Sequence, residues 1–207
     1  MITMKNRSTC FNILIIAVVI TIFTGCAGTS KPSTFYLLSS LPESEHSIQA
    51  TADNGALSVL IGPITLPAYL DRNQVVTVAG SHELVLDEFV RWAEPLQDTL
   101  YRVLSENLSL LLKTPKVYAY NSRGSKPVDF RITIDITRFD SSAGGDAYLN
   151  AFWTVAGRDS KTDLITQKSF FRVAASSKST SGVLDAQNRA LTDLSREIAT
   201  AIQSLQR

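Results

Sequence analysis

The stretch VDFRITIDITRFD, from Val128 to Asp140, decides the fold because its side chains alternate between apolar and polar. Ile132, Ile134 and Ile136 point to one side of an extended chain, while charged or hydroxyl-bearing residues point to the other. An alternation with a period of two residues is typical of a strand with one buried face. The stretch therefore predicts a strand that carries a hydrophobic core on one side.

Other extended segments surround this strand. Residues 148–158 alternate in the same way, and residues 165–176 follow after a short polar loop, so the three strands predict an antiparallel meander. Gly80 separates two short extended runs and predicts a hairpin between them. The shorter segments predicted as strands are residues 35–39, 57–64, 74–79, 83–88 and 116–120.

Two segments have the apolar period of an amphipathic helix, residues 95–113 and residues 182–205. Pro95 suits the first helical position of the former, and Ser181 is a candidate N-cap of the latter. The one-sided strands offer a surface for both helices. The sequence therefore predicts an α+β fold, a two-layer sandwich in which a mostly antiparallel sheet carries two long amphipathic helices on one face.

The first 25 residues have the order of an export signal. Lys5 and Arg7 precede an almost unbroken apolar run from Ile13 to Phe23, and two small residues follow. The run is shorter than the roughly 20 apolar residues that a membrane-spanning helix needs. The segment predicts a signal peptide of residues 1–25, and the alternative is an uncleaved membrane anchor.

Residues 23–26, FTGC, resemble the lipobox of bacterial lipoproteins, with phenylalanine where leucine is usual. The resemblance implies cleavage before Cys26 and attachment of diacylglycerol and an N-acyl chain, such as palmitate, to that residue. Two or more acyl chains anchor a protein stably. Residue 27 is alanine rather than the aspartate that retains lipoproteins in the inner membrane, which favours the periplasmic face of the outer membrane. Residues 26–34 would be the lipidated N-terminus and tether, and residues 35–207 a single domain.

The composition argues against several kinds of binding site. Without residues 1–25 the chain would carry 18 basic and 19 acidic residues, too little positive charge to attract nucleic acid. Cys10 would leave with the signal, Cys26 would be acylated, and the only histidines are His46 and His82. We therefore expect no nucleic-acid partner, no metal site, and no cofactor apart from the covalent acyl chains.

Clustered carboxylates are the best candidates for catalysis, and they are Glu83, Asp87, Glu88 and Glu94. A glycosidase needs two such groups that face each other across a sugar ring. Adjacent residues of a strand point to opposite faces, so solvated charge explains this cluster better. The same explanation, polar positions on one strand, covers Asp129, Asp135 and Asp140. The sequence predicts a protein that is not an enzyme, with a periplasmic hydrolase as the enzymatic alternative.

Two segments together resemble a specific family. The segment PAYLDRNQ, residues 67–74, and the segment RWAEPL, residues 91–96, resemble motifs of the PqiC-like, ABC-type transport auxiliary lipoproteins, and the similarity runs from Phe35 to the C-terminal helix. Members of this family are partners of MCE-domain (mammalian cell entry) proteins that form lipid tunnels between two membranes. The resemblance implies a docking subunit, with a PqiB-like MCE protein as partner, in lipid transport that maintains envelope integrity, and it implies no catalysis.

The same motifs supply candidate partner-binding residues, which are Tyr69, Leu70, Asp71, Arg72, Trp92 and Glu94. An aromatic, an aliphatic and two opposite charges on one loop have the composition of an interface anchor. The alternative is that Tyr69 and Leu70 close the edge of the core. Trp92 has the alternative of packing as a hydrophobic staple, and Glu94 that of capping the following helix.

A second functional hypothesis is a periplasmic lipid carrier with a pocket between sheet and helices. Its walls would be Phe130, Ile134, Trp153 and Leu194. A homo-oligomer around the end of an MCE tunnel is a further hypothesis.

Overall fold

The computed structural model describes residues 31–42, 57–80, 82–120, 127–158 and 162–206. The predicted signal peptide, Cys26 and His46 lie outside these ranges. The elements in chain order are β1 (Thr34–Tyr36), β2 (Val59–Thr65), β3 (Gln74–Ala79), β4 (Glu83–Trp92), α1 (Leu96–Leu112), β5 (Val117–Ala119), β6 (Phe130–Ser142), β7 (Ala147–Ala156), β8 (Asp163–Val173) and α2 (Thr180–Leu205).

The strands form one eight-stranded mixed sheet that curls into a half barrel. The prediction of a two-layer sandwich with a mostly antiparallel sheet is wrong. In the described residues, β1 pairs with β4, β2 with β5, and β6 with both β2 and β3, all in parallel. Parallel partners are joined by long crossovers, which leave no local pattern in the sequence.

The antiparallel part of the sheet follows the sequence pattern. The meander β6–β7–β8 and the hairpin β3–β4 are antiparallel, as predicted from their short connections. One edge of β6 pairs with β7 along its length, while the other edge pairs first with β2 and then, at Ser141 and Ser142, with β3. This long strand therefore joins the two parts of the sheet.

Both predicted helices are present, with small corrections at their ends. Pro95 occupies the N-cap position of α1 and not its first turn, and Lys113 ends that helix in the left-handed conformation. The N-cap of α2 is Ser179, whose Oγ accepts a hydrogen bond from the Gly182 N–H at 3.2 Å. Ser181 is the second residue of the helix, so its prediction as N-cap is wrong. Neither helix, within the described part of the chain, is long and apolar enough to cross a membrane.

The core lies between the sheet and the two helices, which also contact each other. α1 contacts β2 and β5, whereas α2 contacts β6, β7 and β8. The isoleucines at positions 132, 134 and 136, which first indicated a one-sided strand, are 0, 2 and 0% exposed. The alternation in β6 thus places the core on the predicted side of that strand.

Candidate partner-binding surface

The two sequence motifs meet at the open end of the β3–β4 hairpin. Gln74, at the start of β3, pairs with Arg91 near the end of β4. The Trp92 N–H donates a 2.7 Å hydrogen bond to the Asn73 carbonyl, so the loop of residues 67–73 is attached directly to the second motif. An antiparallel hairpin brings its two outer ends together, which explains why motifs separated in sequence adjoin in space.

Backbone hydrogen bonds and one buried side chain shape the loop of residues 67–73. The Leu70 N–H donates to the Pro67 carbonyl at 2.9 Å, and the Leu70 side chain is 1% exposed. Asp71 is exposed and Arg72 is half-buried. The Arg72 Nε is buried and has no hydrogen-bond partner among the described residues. Leu70 therefore anchors the loop, and Asp71 after it lies at the surface.

Tyr69 begins a polar cluster that reaches across to β6 and β7. Its hydroxyl donates to Asp140 Oδ2 at 3.1 Å, and Asp140 Oδ1 also accepts from Arg138 Nε at 2.8 Å. The Arg138 guanidinium carbon lies 3.8 Å from the centroid of the Tyr148 ring. Partial burial and then the Asp140 charge raise the pKa of the Tyr69 phenol to about 12, so this hydroxyl remains a donor at neutral pH.

The interpretation of Asp140 as a solvated position of β6 is wrong, because this residue is buried. It is 2% exposed although it lies on the face opposite the core, because Tyr69 and Arg138 contact it there. The register of β6 shifts between Ile136 and Arg138, so that Phe139 and not Asp140 faces the core. Phe139 beside it is also buried, at 1% exposed. Sequence reasoning missed the Arg138–Asp140–Tyr148 cluster, and the interrupted alternation at residues 138–140 was the available signal.

An open groove of about 730 Å³ lies beside this cluster. Tyr69 and His82 line it from the hairpin side, and Arg138, Tyr148 and Asn150 line it from the sheet. The lining of the groove combines aromatic rings with hydrogen-bonding groups. The guanidinium of Arg138 forms an ion pair with the Asp140 carboxylate. Such a groove suits contact with a polypeptide better than it suits a strongly charged ligand.

The other two candidate residues are engaged within the protein. Trp92 is the last residue of β4, is 5% exposed and packs in the hydrophobic core. Glu94 makes no side-chain cap at the start of α1, and its Oε1 accepts from Thr99 Oγ1 at 3.0 Å and from Arg102 Nη2 at 2.9 Å. Both residues position the end of β4 against α1.

The carboxylates considered for catalysis make local contacts. Glu88 accepts from Gln74 Nε2 at 3.0 Å and from Arg91 Nη2 at 3.1 Å, while Asp87 Oδ1 accepts from the Phe89 N–H at 2.8 Å. These contacts fit solvated, structural charge. In the described ranges, no group of three or more potential metal ligands occurs.

The residues proposed as walls of a lipid pocket belong to the core or pack against it. Ile134, Trp153 and Leu194 are 2, 1 and 0% exposed, and half-buried Phe130 packs against the same cluster. Trp153 Nε1 donates to Ser169 Oγ at 2.8 Å, which fixes the indole ring. The structure therefore shows a filled interior at the place where the carrier hypothesis requires a pocket.

Comparisons with known proteins agree with the motifs. The model of a family described as "ABC-type transport auxiliary lipoprotein component" matches residues 36–199. The intermembrane transport lipoprotein PqiC of Escherichia coli is 28% identical over 129 residues, or 62% of this chain, and PqiC of Shigella flexneri matches equally. The matched part spans 66% of the length of these curated relatives.

Two crystal structures have a similar fold. An uncharacterized protein, of which 99% is covered, superposes on 83% of this chain with a TM-score of 0.68 and 17% identity. A protein from Xanthomonas campestris, covered completely, superposes on 84% with a TM-score of 0.66 and 18% identity. At such low identity, these two likenesses concern the fold alone.

Proposed function

This chain belongs to the ABC-type transport auxiliary lipoprotein family, and from that premise we propose that it is a docking subunit of an MCE-type lipid transport system. In this proposal the protein is anchored in the outer membrane, faces the periplasm, performs no catalysis and helps to maintain envelope integrity. The match over residues 36–199 carries the proposal. The similarity to lipoproteins named for intermembrane transport supports it.

The anchor is assigned to Cys26. The FTGC motif at the end of the apolar run supports removal of residues 1–25 and acylation of the new N-terminus. Two or three acyl chains hold a domain on a membrane without a second membrane element. Ala27 supports the outer membrane as the destination, and residues 26–34 would link the lipid to a single domain of residues 35–207.

The groove beside Tyr69 and the loop of residues 67–73 are the proposed contact with the MCE protein. Asp71 is exposed, so the loop offers a carboxylate acceptor to the partner. Leu70, Trp92 and Glu94 support the contact indirectly, because they fix the loop and the adjoining end of β4. A rigid, preorganised loop loses little entropy when it binds.

An affinity measurement tests this contact. The acylated protein in nanodiscs is titrated with the periplasmic part of the MCE protein from the same organism. Asp71→Lys is expected to weaken binding about tenfold, since it reverses a charge at the centre of the proposed contact. Glu106→Lys, the same change at an exposed position of α1, is the control and should alter the affinity less than about twofold. Equal affinities for both variants and the unaltered protein would remove the loop from the contact.

A homo-oligomer is part of the proposal, because the end of a ring-shaped tunnel offers equivalent sites to several copies. Mass photometry of the complex with the MCE protein tests it. A complex that contains a single copy of this chain would overturn this part and leave the docking role intact.

A further inference from the structure

The strand β8 provides a long free edge in the described part of the sheet. It has 11 residues and, among the residues that the structure describes, pairs only with β7. The other two strands at the ends of the sheet, β1 and β5, have 3 residues each. A free edge presents a row of backbone N–H and C=O groups that can pair with another extended chain.

The outward side chains of β8 and of the adjoining strand expose apolar surface beside this edge. Phe170 is 62% exposed, Leu164 is 43% exposed, and Phe152 on the adjoining strand is 43% exposed. The Lys168 ammonium lies 4.7 Å from the centroid of the Phe152 ring and 4.8 Å from that of Phe170. Proteins usually keep apolar side chains from being exposed along a long sheet edge. Two exposed aromatic rings beside a lysine therefore indicate a surface that a partner covers when the protein functions.

The inner side of the same edge has room for side chains. A groove of about 500 Å³ runs between β8 and α2. Ile165 and Gln167 form its strand side, and Thr200, Ala201 and Ser204 form its helix side. A strand added beside β8 would direct alternate side chains into this groove and the others over Lys168 and Phe170.

We propose that the free edge of β8 binds an extended, acidic segment of a partner protein, which adds to the sheet as a further strand. Backbone hydrogen bonds would supply affinity and alternate side chains specificity, as in other cases of strand addition. An acidic side chain opposite Lys168 would complement the ammonium held between the two rings. The identity of the partner as the MCE protein rests on the proposed function.

The location of β8 supports the same partner for both contacts. Asn150 lines the groove beside Tyr69 and pairs across the strands with Phe170, and Tyr148 of that groove pairs with Arg172. The β8 edge therefore continues the proposed docking groove across one face. A second copy of this chain is a poorer occupant, because antiparallel pairing of two β8 strands about their centres would bring two Lys168 ammonium groups together.

Hydrogen exchange measured by mass spectrometry tests the proposal on the acylated full chain. It is recorded with and without the periplasmic part of the MCE protein. We expect backbone amides of residues 163–173 that face the free edge to exchange at least about tenfold more slowly in the complex, because strand addition gives them acceptors. Docking through side chains alone would leave those amides unchanged and would overturn the proposal.

Two charge variants provide a second readout. Lys168→Glu is expected to weaken the complex about tenfold, since it places a negative charge opposite the acidic segment. Lys178→Glu makes the same change at an exposed position outside β8 and serves as the matched control. Far-ultraviolet circular dichroism of both variants verifies that the fold is retained.

The possible outcomes separate the two proposals. A tight complex with unchanged β8 amides and an unaffected Lys168→Glu variant contradicts strand addition and leaves the proposed function standing. A complete lack of binding by the unaltered protein contradicts the proposed function and the identity of this partner together. Protection of β8 in concentrated protein without the MCE protein assigns the edge to a second copy and contradicts our proposal.

Discussion

Asn107 is fully buried and joins three segments of the chain. Its Oδ1 accepts from the Leu41 N–H at 2.8 Å, and its Nδ2 donates to Ser195 Oγ at 3.0 Å. The segment after β1, helix α1 and helix α2 therefore share one amide group. A buried polar side chain of this kind specifies which surfaces of the helices meet.

Asn107→Leu should lower the free energy of unfolding by roughly 2 kcal/mol, because it leaves the buried Leu41 N–H without an acceptor. Urea unfolding followed by circular dichroism measures the change. Ser105→Ala on the same helix is the control, since the Ser105 hydroxyl is buried without a hydrogen-bond partner among the described residues. That variant should change stability by less than about 0.5 kcal/mol, and equal losses in both variants would contradict the assigned role of Asn107.

The raised pKa of Tyr69 has a consequence for stability at high pH. The folded protein holds this proton more tightly than the unfolded chain, so the contribution is complete below about pH 10 and is lost as pH rises towards about 12. Tyr69→Phe should flatten the fall in stability over that interval, as measured by urea unfolding at a series of pH values. The same slope in both proteins would show that the Tyr69 hydroxyl is not held by Asp140.

Residue patterns predicted part of the candidate site. The PAYLDRNQ motif located the loop, and its two alternative interpretations apply to different residues, since Leu70 is buried while Asp71 is exposed. The interrupted alternation at residues 138–140 signals the shift in β6, but the contact of Tyr69 with Asp140 joins residues far apart in the chain and was therefore not predictable.

At the scale of elements, the packing of β2 against α1 and the end of β5 depends on a close approach at Gly62. Gly62 has a φ of +123°, and a Cβ there would lie 2.5 Å from Tyr120 Cβ and 3.0 Å from Tyr101 Oη. The Tyr101 hydroxyl accepts a hydrogen bond from the Ile64 N–H at 2.9 Å. The absence of a side chain at position 62 therefore lets the helix and the strand approach.

Gly62→Ala should destabilise the protein by roughly 3 kcal/mol or more, since it adds both backbone strain and a steric clash. Gly80→Ala is the matched control, because Gly80 also has a positive φ, +61°, yet a Cβ there would meet nothing within 4 Å. We expect the control to lose about 1 to 2 kcal/mol in thermal or urea unfolding. A loss at position 62 no larger than the loss at position 80 would contradict the close packing.

The sequence predicted elements better than their arrangement. The helices and the meander follow from periodicity and short turns, which are local properties. The parallel pairs β2–β5 and β2–β6 join strands far apart in the chain, so nothing in their own residues fixes the direction of pairing. Burial of both faces at the start of β2, where Val59, Leu60 and Ile61 are at most 3% exposed, is typical of such a central strand.

For the whole molecule, the filled core predicts how the domain treats lipid. The domain of residues 35–207, produced in the native host without the acylated cysteine, should contain no bound phospholipid after purification. The reason is that the residues proposed as pocket walls are packed in or against the core. Native mass spectrometry of the purified domain measures this. One retained phospholipid per domain would favour the lipid-carrier hypothesis over a docking subunit.

Location and partner are the central claim about the whole molecule. The most direct measurement is cross-linking in the envelope of the native host, followed by purification of the acylated chain and identification of its partners. We predict that the intact chain carries acyl groups on Cys26 and recovers an MCE-domain protein, while Cys26→Ser loses both. An unacylated full-length chain, or an acylated one that recovers no MCE-domain protein after cross-linking, would contradict the account.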